Sequence, residues 1–87
     1  MKTVRIKVTK RDIRLGSQME PNRCPVTRAL ERAGFDDATV PSADHCIFVN
    51  DDGTPVSLPL PKKAQHFIDR FDVRKPVKPF TFTLRLA

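Results

Sequence analysis

Two runs of strict alternation bracket the chain: Thr3-Val4-Arg5-Ile6-Lys7-Val8-Thr9 near its start and Phe80-Thr81-Phe82-Thr83-Leu84-Arg85-Leu86 near its close. A period of two is the mark of a strand with one buried face and one wet face. In both runs the apolar half is bulky, while the other half is Thr, Arg and Lys. Each strand needs a partner for its backbone groups and a cover for its apolar side. Pairing the two with each other supplies the partner and gathers Arg5, Lys7 and Arg85 on one solvent face.

With 87 residues, the chain has room for one domain and one small core, burying about two-thirds of its extended surface. The formal charge is +6, unevenly distributed. Residues 1–33 hold nine Lys and Arg against three acids, residues 34–61 hold five Asp and no Lys or Arg, and residues 62–87 hold seven against two. Basic ends around an acidic middle attract a polyanion, nucleic acid or an acidic protein surface, to one side of the molecule. The two cysteines, Cys24 and Cys46, are too few for a disulfide scaffold and are read as reduced thiols. Met1–Lys7 alternates charge with aliphatics and is neither a signal peptide nor a membrane span, so a cytoplasmic location without membrane contact is expected.

Between the terminal strands the punctuation is clear. Thr9 followed by Asp12 is a short capping box, and Gly16 stops a single helical turn whose Ile13 and Leu15 are expected to point inward. Ser17–Arg23 reads as a loop. A helix starts at Cys24 or Pro25, with Val26, Ala29, Leu30 and Ala33 as its apolar stripe and Gly34 just past its end. Ala38–Val40 reads as a short strand before Pro41, and Cys46–Val49 as a clearer one. The turn Asn50-Asp51-Asp52-Gly53 then makes a hairpin with Thr54–Leu58, whose arm Pro55 and Pro59 confine to a sheet edge. A second helix spans Lys62–Asp72 with Ala64, Phe67, Ile68 and Phe71 inward, and Pro76 and Pro79 stiffen an extended crossing into the last strand. The expectation is a single α+β domain over residues 1–87. Its mixed or antiparallel sheet of four to five strands, terminal strands paired, packs on two amphipathic helices.

Nothing in the chain spells out catalysis. His45 and Cys46 are adjacent, so a strand sends them to opposite faces, and no spacing matches a zinc site; no metal or cofactor is expected. Cys24 beside Arg23 at a helix start is placed where a thiolate is favoured, yet no histidine is positioned to act as its base, and a packed structural thiol is the simpler reading. No enzyme is expected. Lys62 and Lys63 open a helix, where the dipole disfavours cations unless an anion compensates, and so mark a phosphate or carboxylate contact. Arg28 and Arg32 on the first long helix form a possible secondary basic face. The Arg5/Lys7/Thr81/Thr83/Arg85 strand face suits a nucleic-acid backbone, because hydroxyls and guanidinium groups bond phosphate oxygens, although it carries no aromatic for stacking bases.

Asp12-Ile13…Gly16, Cys24-Pro25-Val26…Ala29-Leu30, Phe67-Ile68…Phe71-Asp72 and Pro76-Val77…Pro79-Phe80…Phe82 together form a pattern covering most of the chain. It resembles an uncharacterised family of short proteins from bacteriophages and bacteria. Arg74 stands where that pattern has glycine, which leaves open the geometry of the crossing into the last strand. The resemblance implies a phage or mobile-element origin and action by binding, but assigns no residue a role. Two functional readings follow. In the first, a non-enzymatic protein contacts nucleic acid through Arg5, Lys7, Lys62, Lys63 and Arg85. In the second, a protein-binding module inhibits or modulates a host enzyme or defence complex, in the manner of an anti-CRISPR protein, through Asp36/Asp37 or Asp51/Asp52. The oligomeric state is not legible.

Overall fold

The terminal strands do pair. In the computed structural model, which describes residues 2–18, 20 and 22–86, β1 (Lys2–Val8) and β5 (Phe80–Leu86) form an antiparallel two-stranded ribbon. Its register runs from Lys2 opposite Leu86 to Val8 opposite Phe80. Ile6, Val8, Phe82 and Leu84 are buried on its inner side. Between these strands come α1 (Lys10–Leu15), α2 (Pro25–Arg32), β2 (Asp36–Ser42), β3 (His45–Val49), β4 (Pro55–Pro59) and α3 (Lys62–Asp72).

The single sheet of four to five strands expected from the sequence does not form. Strands β2, β3 and β4 make a separate three-stranded antiparallel sheet, and β4 lies beside β5 without a ladder between them. The prolines account for the break. Asn50 N–H donates to Thr54 O (2.9 Å) and Leu60 N–H to Asp44 O (2.9 Å). Antiparallel pairs alternate between hydrogen-bonded and not, so Cys46/Leu58 and Phe48/Val56 are the bonded pairs of this hairpin. Pro55, Ser57 and Pro59 therefore turn their backbone toward the outer edge. Two of these three residues have no N–H, and a strand arriving there finds one donor where a ladder needs a row. The sequence reading placed the prolines correctly at an edge; their further effect is to stop the sheet there.

The helices start and stop where their residues dictate. Thr9 Oγ1 accepts from Asp12 N–H (3.2 Å) and Asp12 Oδ2 from Thr9 N–H (2.9 Å), completing the expected capping box. The segment that follows is a six-residue helix rather than one turn, and Leu15 is exposed, not inward. Cys24 caps α2, with Sγ accepting from Thr27 N–H (3.3 Å) and Pro25 in the first turn. Val26, Ala29 and Leu30 are buried as the stripe requires, whereas Ala33 is exposed at the C-cap. The loop expected at Ser17–Arg23 lies outside the described residues at positions 19 and 21; elsewhere in it, Ser17 N–H donates to Arg23 O (2.8 Å). β2 is longer than expected, running through Pro41, and pairs with β3 with register shifts.

One core joins both sheets. α2 packs on β1 and β2, and α3 presents Ala64, Phe67, Ile68 and Phe71 as predicted. The Phe67 and Phe80 rings lie 4.7 Å apart, Phe80 and Phe82 5.6 Å, and Phe35 meets Phe48 edge-on at 4.8 Å. Between α3 and β5 the expected extended crossing begins instead with a turn, Arg74 taking a left-handed backbone, and Lys75–Pro79 then run without regular secondary structure into β5.

Candidate nucleic-acid interface

Alternation along β1 and β5 sends the polar residues to the outer side of the ribbon, and the register decides which meet. Thr3 lies opposite Arg85, Arg5 opposite Thr83 and Lys7 opposite Thr81. Residues directly opposite on one face hold their Cβ atoms about 4.5–5.5 Å apart, so each cation has a hydroxyl for a neighbour. All of these residues are exposed except Thr81, which is half-buried. Among the described residues no acid lies on this face, and none of Arg5, Lys7 and Arg85 has an ion-pair partner. The structure thus brings three of the five proposed contact residues together.

Lys62 and Lys63 stand apart from that face. They open α3 after Pro61, which supplies no side-chain cap, so the first N–H groups of the helix have no capping partner there. Lys63 Nζ sits 5.9 Å from the Phe80 ring centroid. Phe80 pairs with Val8 on the inner side of the ribbon, so Lys63 lies at its margin, at the end nearest the Lys7–Thr81 pair. Residues Lys63, His66, Phe67 and Arg70 repeat at helical spacing and face Pro76–Phe80 across a shallow groove of about 330 Å³ with Lys78 on its rim and no acid in its lining. Arg70 spans it, donating from Nε and Nη2 to Pro76 O (3.2 and 3.1 Å).

The secondary basic face is engaged elsewhere. Arg32 donates from Nη1 to Asp12 Oδ1 (2.7 Å) and from Nη2 to Asp12 Oδ2 (2.8 Å) and to Lys7 O (2.6 Å). Arg28 Nε is 3.7 Å from Asp12 Oδ1 and is buried without a hydrogen bond. Asp12 is fully buried. Burial pushes its carboxyl upward, but hydrogen bonds from Arg32 and Thr9 outweigh that and hold it below the usual carboxylate range. Arg28 and Arg32 therefore neutralise an internal charge and lock α1, α2 and β1 together. The signal was present in the sequence, since Arg28 and Arg32 are one turn apart on one helix face. Their partner is 20 residues from Arg32, and no local pattern names it.

The acidic middle of the chain becomes one feature. A cleft of about 830 Å³ opens where the two sheets part, floored by Phe35, Phe48, Val56, Leu58 and Leu86 and rimmed by Asp36, Asp51 and Asp52. Asp36 lies opposite Val49, directly before the hairpin tip, so the two acidic segments read from the sequence as alternatives are neighbours. Asp52 accepts from Thr54 N–H (2.9 Å), a bond that lowers its pKa.

Neither thiol is activated. Cys24 is buried, and burial pushes its pKa up despite the bonds from Thr27. Cys46 is fully buried in β3 and is pushed to about 11 by burial. Among the described residues no three His, Cys, Asp or Glu side chains are grouped to hold a metal, and no helix is long and apolar enough to cross a membrane.

Comparison with known protein families, curated proteins and solved structures finds no match to this chain.

Proposed function

We propose that this chain is a small non-enzymatic binding protein, of phage or mobile-element origin, that contacts nucleic acid through the outer face of the β1–β5 ribbon. Arg5, Lys7 and Arg85 are the contacts, with Lys62 and Lys63 extending them at the margin. The observation that carries this reading is the register, which aligns three cations with three threonines on a face where, among the described residues, they have no acid to pair with. Such a face suits phosphate oxygens, because charged groups supply attraction and hydroxyls supply hydrogen bonds without demanding a sequence.

The test is a salt series with labelled oligonucleotides. Affinity falls with a log–log slope of about −0.7 to −0.9 per phosphate neutralised, so the variant Arg5→Gln/Lys7→Gln/Arg85→Gln reduces the slope by about 2–3. Binding that is indifferent to salt, or no binding at low salt, overturns the reading.

A second reading has its own observation. The acid-rimmed apolar cleft at the seam between the sheets supports a module that inhibits or modulates a host enzyme or defence complex. Capture of a partner from nuclease-treated host lysate that is lost on Asp36→Asn/Asp51→Asn supports that reading, whereas capture that disappears with nuclease favours the first.

A further inference from the structure

The ribbon has a shape as well as a charge, and the shape narrows the polyanion it fits. β1 and β5 form a sheet of two strands, and among the described residues no third strand is hydrogen-bonded to either edge. Paired strands lie about 4.8 Å apart, and the B-form major groove, about 12 Å wide and 8.5 Å deep, admits a two-stranded β-ribbon. Seven residue pairs extend about 23 Å, the rise of about seven base pairs. The inner side is sealed by core packing, so only the Thr/Arg/Lys side is free to enter.

The side chains point the same way. Guanidinium and ammonium groups bond the phosphates that border the groove, and the threonine side chain offers a hydroxyl to base edges and a methyl to thymine. The face carries no aromatic residue, so it lacks the platform on which single-stranded bases stack. The major groove of A-form RNA is too deep and narrow for side chains to read. Cations for the flanking phosphates stand at one end of the ribbon, where Lys10 and Arg11 begin α1 directly after β1 and Lys63 lies over Phe80.

We infer that the β1–β5 ribbon binds double-stranded DNA in its major groove, with Thr81 and Thr83 toward the base edges and Arg5, Lys7 and Arg85 toward the phosphates that border it. This rests on the nucleic-acid reading and adds the form of the nucleic acid and the groove. The experiment measures anisotropy of the whole chain with four labelled probes of equal length: duplex DNA, one of its single strands, the matching RNA duplex, and a DNA duplex whose major groove is filled by bulky C5 substituents on its pyrimidines. The unmodified duplex is expected to bind about tenfold tighter than the other three. Equal affinity for the single strand, the RNA duplex or the filled duplex overturns the groove assignment and leaves the nucleic-acid reading standing. No binding to any probe at low salt overturns both. Thr81→Ala/Thr83→Ala changes no charge, and its fold is checked by its melting temperature. It is expected to weaken binding to the unmodified duplex about fivefold with little change in single-strand affinity; unchanged duplex affinity also overturns the assignment.

Discussion

Gly34 and Arg74 hold the same position in two equivalent helix stops. Each follows its C-cap residue with a left-handed backbone, at φ +99 and +62. Gly34 N–H donates to Glu31 O (3.0 Å) and Phe35 N–H to Leu30 O (3.1 Å); Arg74 N–H donates to Phe71 O (3.0 Å) and Lys75 N–H to Arg70 O (2.9 Å). This double closure is the Schellman motif, which suits glycine because a left-handed residue with a Cβ costs about 1–2 kcal/mol.

Arg74→Gly is therefore expected to raise stability by about 0.5–1 kcal/mol, part of the relieved strain being offset by the looser unfolded chain. Arg74→Ala, which keeps the Cβ, gains nothing. Urea denaturation of the two variants checks this, and equal stabilities would contradict it.

Asp12→Asn removes the charge on which Arg32 and Arg28 converge and weakens the capping box. Breaking a buried pair costs about 3–5 kcal/mol, but Arg32 is half exposed, so about 2 kcal/mol is expected here. The midpoint of urea unfolding measures it, and a loss below a few tenths would show the pair to be idle.

Acid tests the same group. Because the folded Asp12 pKa lies below its ordinary 3.8, its contribution is fully present above that value and is lost as pH falls through the folded pKa. Unfolding free energy should be flat in this respect above about pH 5 and decline below about pH 4, and Asp12→Asn should flatten that decline. Asp44 and Asp52 are also lowered but lie at the surface, so most of the difference between the two profiles belongs to Asp12.

Gly16 ends α1 with an ordinary φ of −76, yet a Cβ there would stand 2.7 Å from Pro25 Cδ and 2.8 Å from its backbone nitrogen. The proline ring and the chain are both stiff, so Gly16→Ala must push α1 away from the start of α2. A loss of about 1–3 kcal/mol is expected in thermal or urea unfolding.

Restoring the missing donors tests the origin of the seam. Pro55→Thr/Pro59→Val gives β4 a full edge of N–H groups, and the variant is expected to self-associate through that edge, read by light scattering as a rise in mass with concentration. A strictly monomeric variant with unchanged amide protection would assign the break to something other than proline.

The sequence shows most of the elements because their causes are local. Alternation marks β1 and β5, the 3.6-residue stripe marks α2 and α3, and Thr9 with Asp12 marks the start of α1. Arg5, Lys7 and Arg85 could be joined on paper because the pairing of two amphipathic strands follows from period two. The seam between the sheets could not, since it depends on which face of the hairpin ladder Pro55 and Pro59 occupy. Nor could the fate of Arg28 and Arg32, which is decided by a carboxylate on another helix. Leu15 was misplaced because a six-residue helix offers too few turns to fix its inward side.

The two strands of the ribbon are separated by nearly the whole chain, while the helices and the hairpin close over short distances. Loop-closure entropy therefore weighs more on the ribbon than on any other strand pairing in the fold. Arg5 and Lys7 meet Arg85 only when both ends of the chain are in place, so the alignment of these cations is itself a mark of the completed fold.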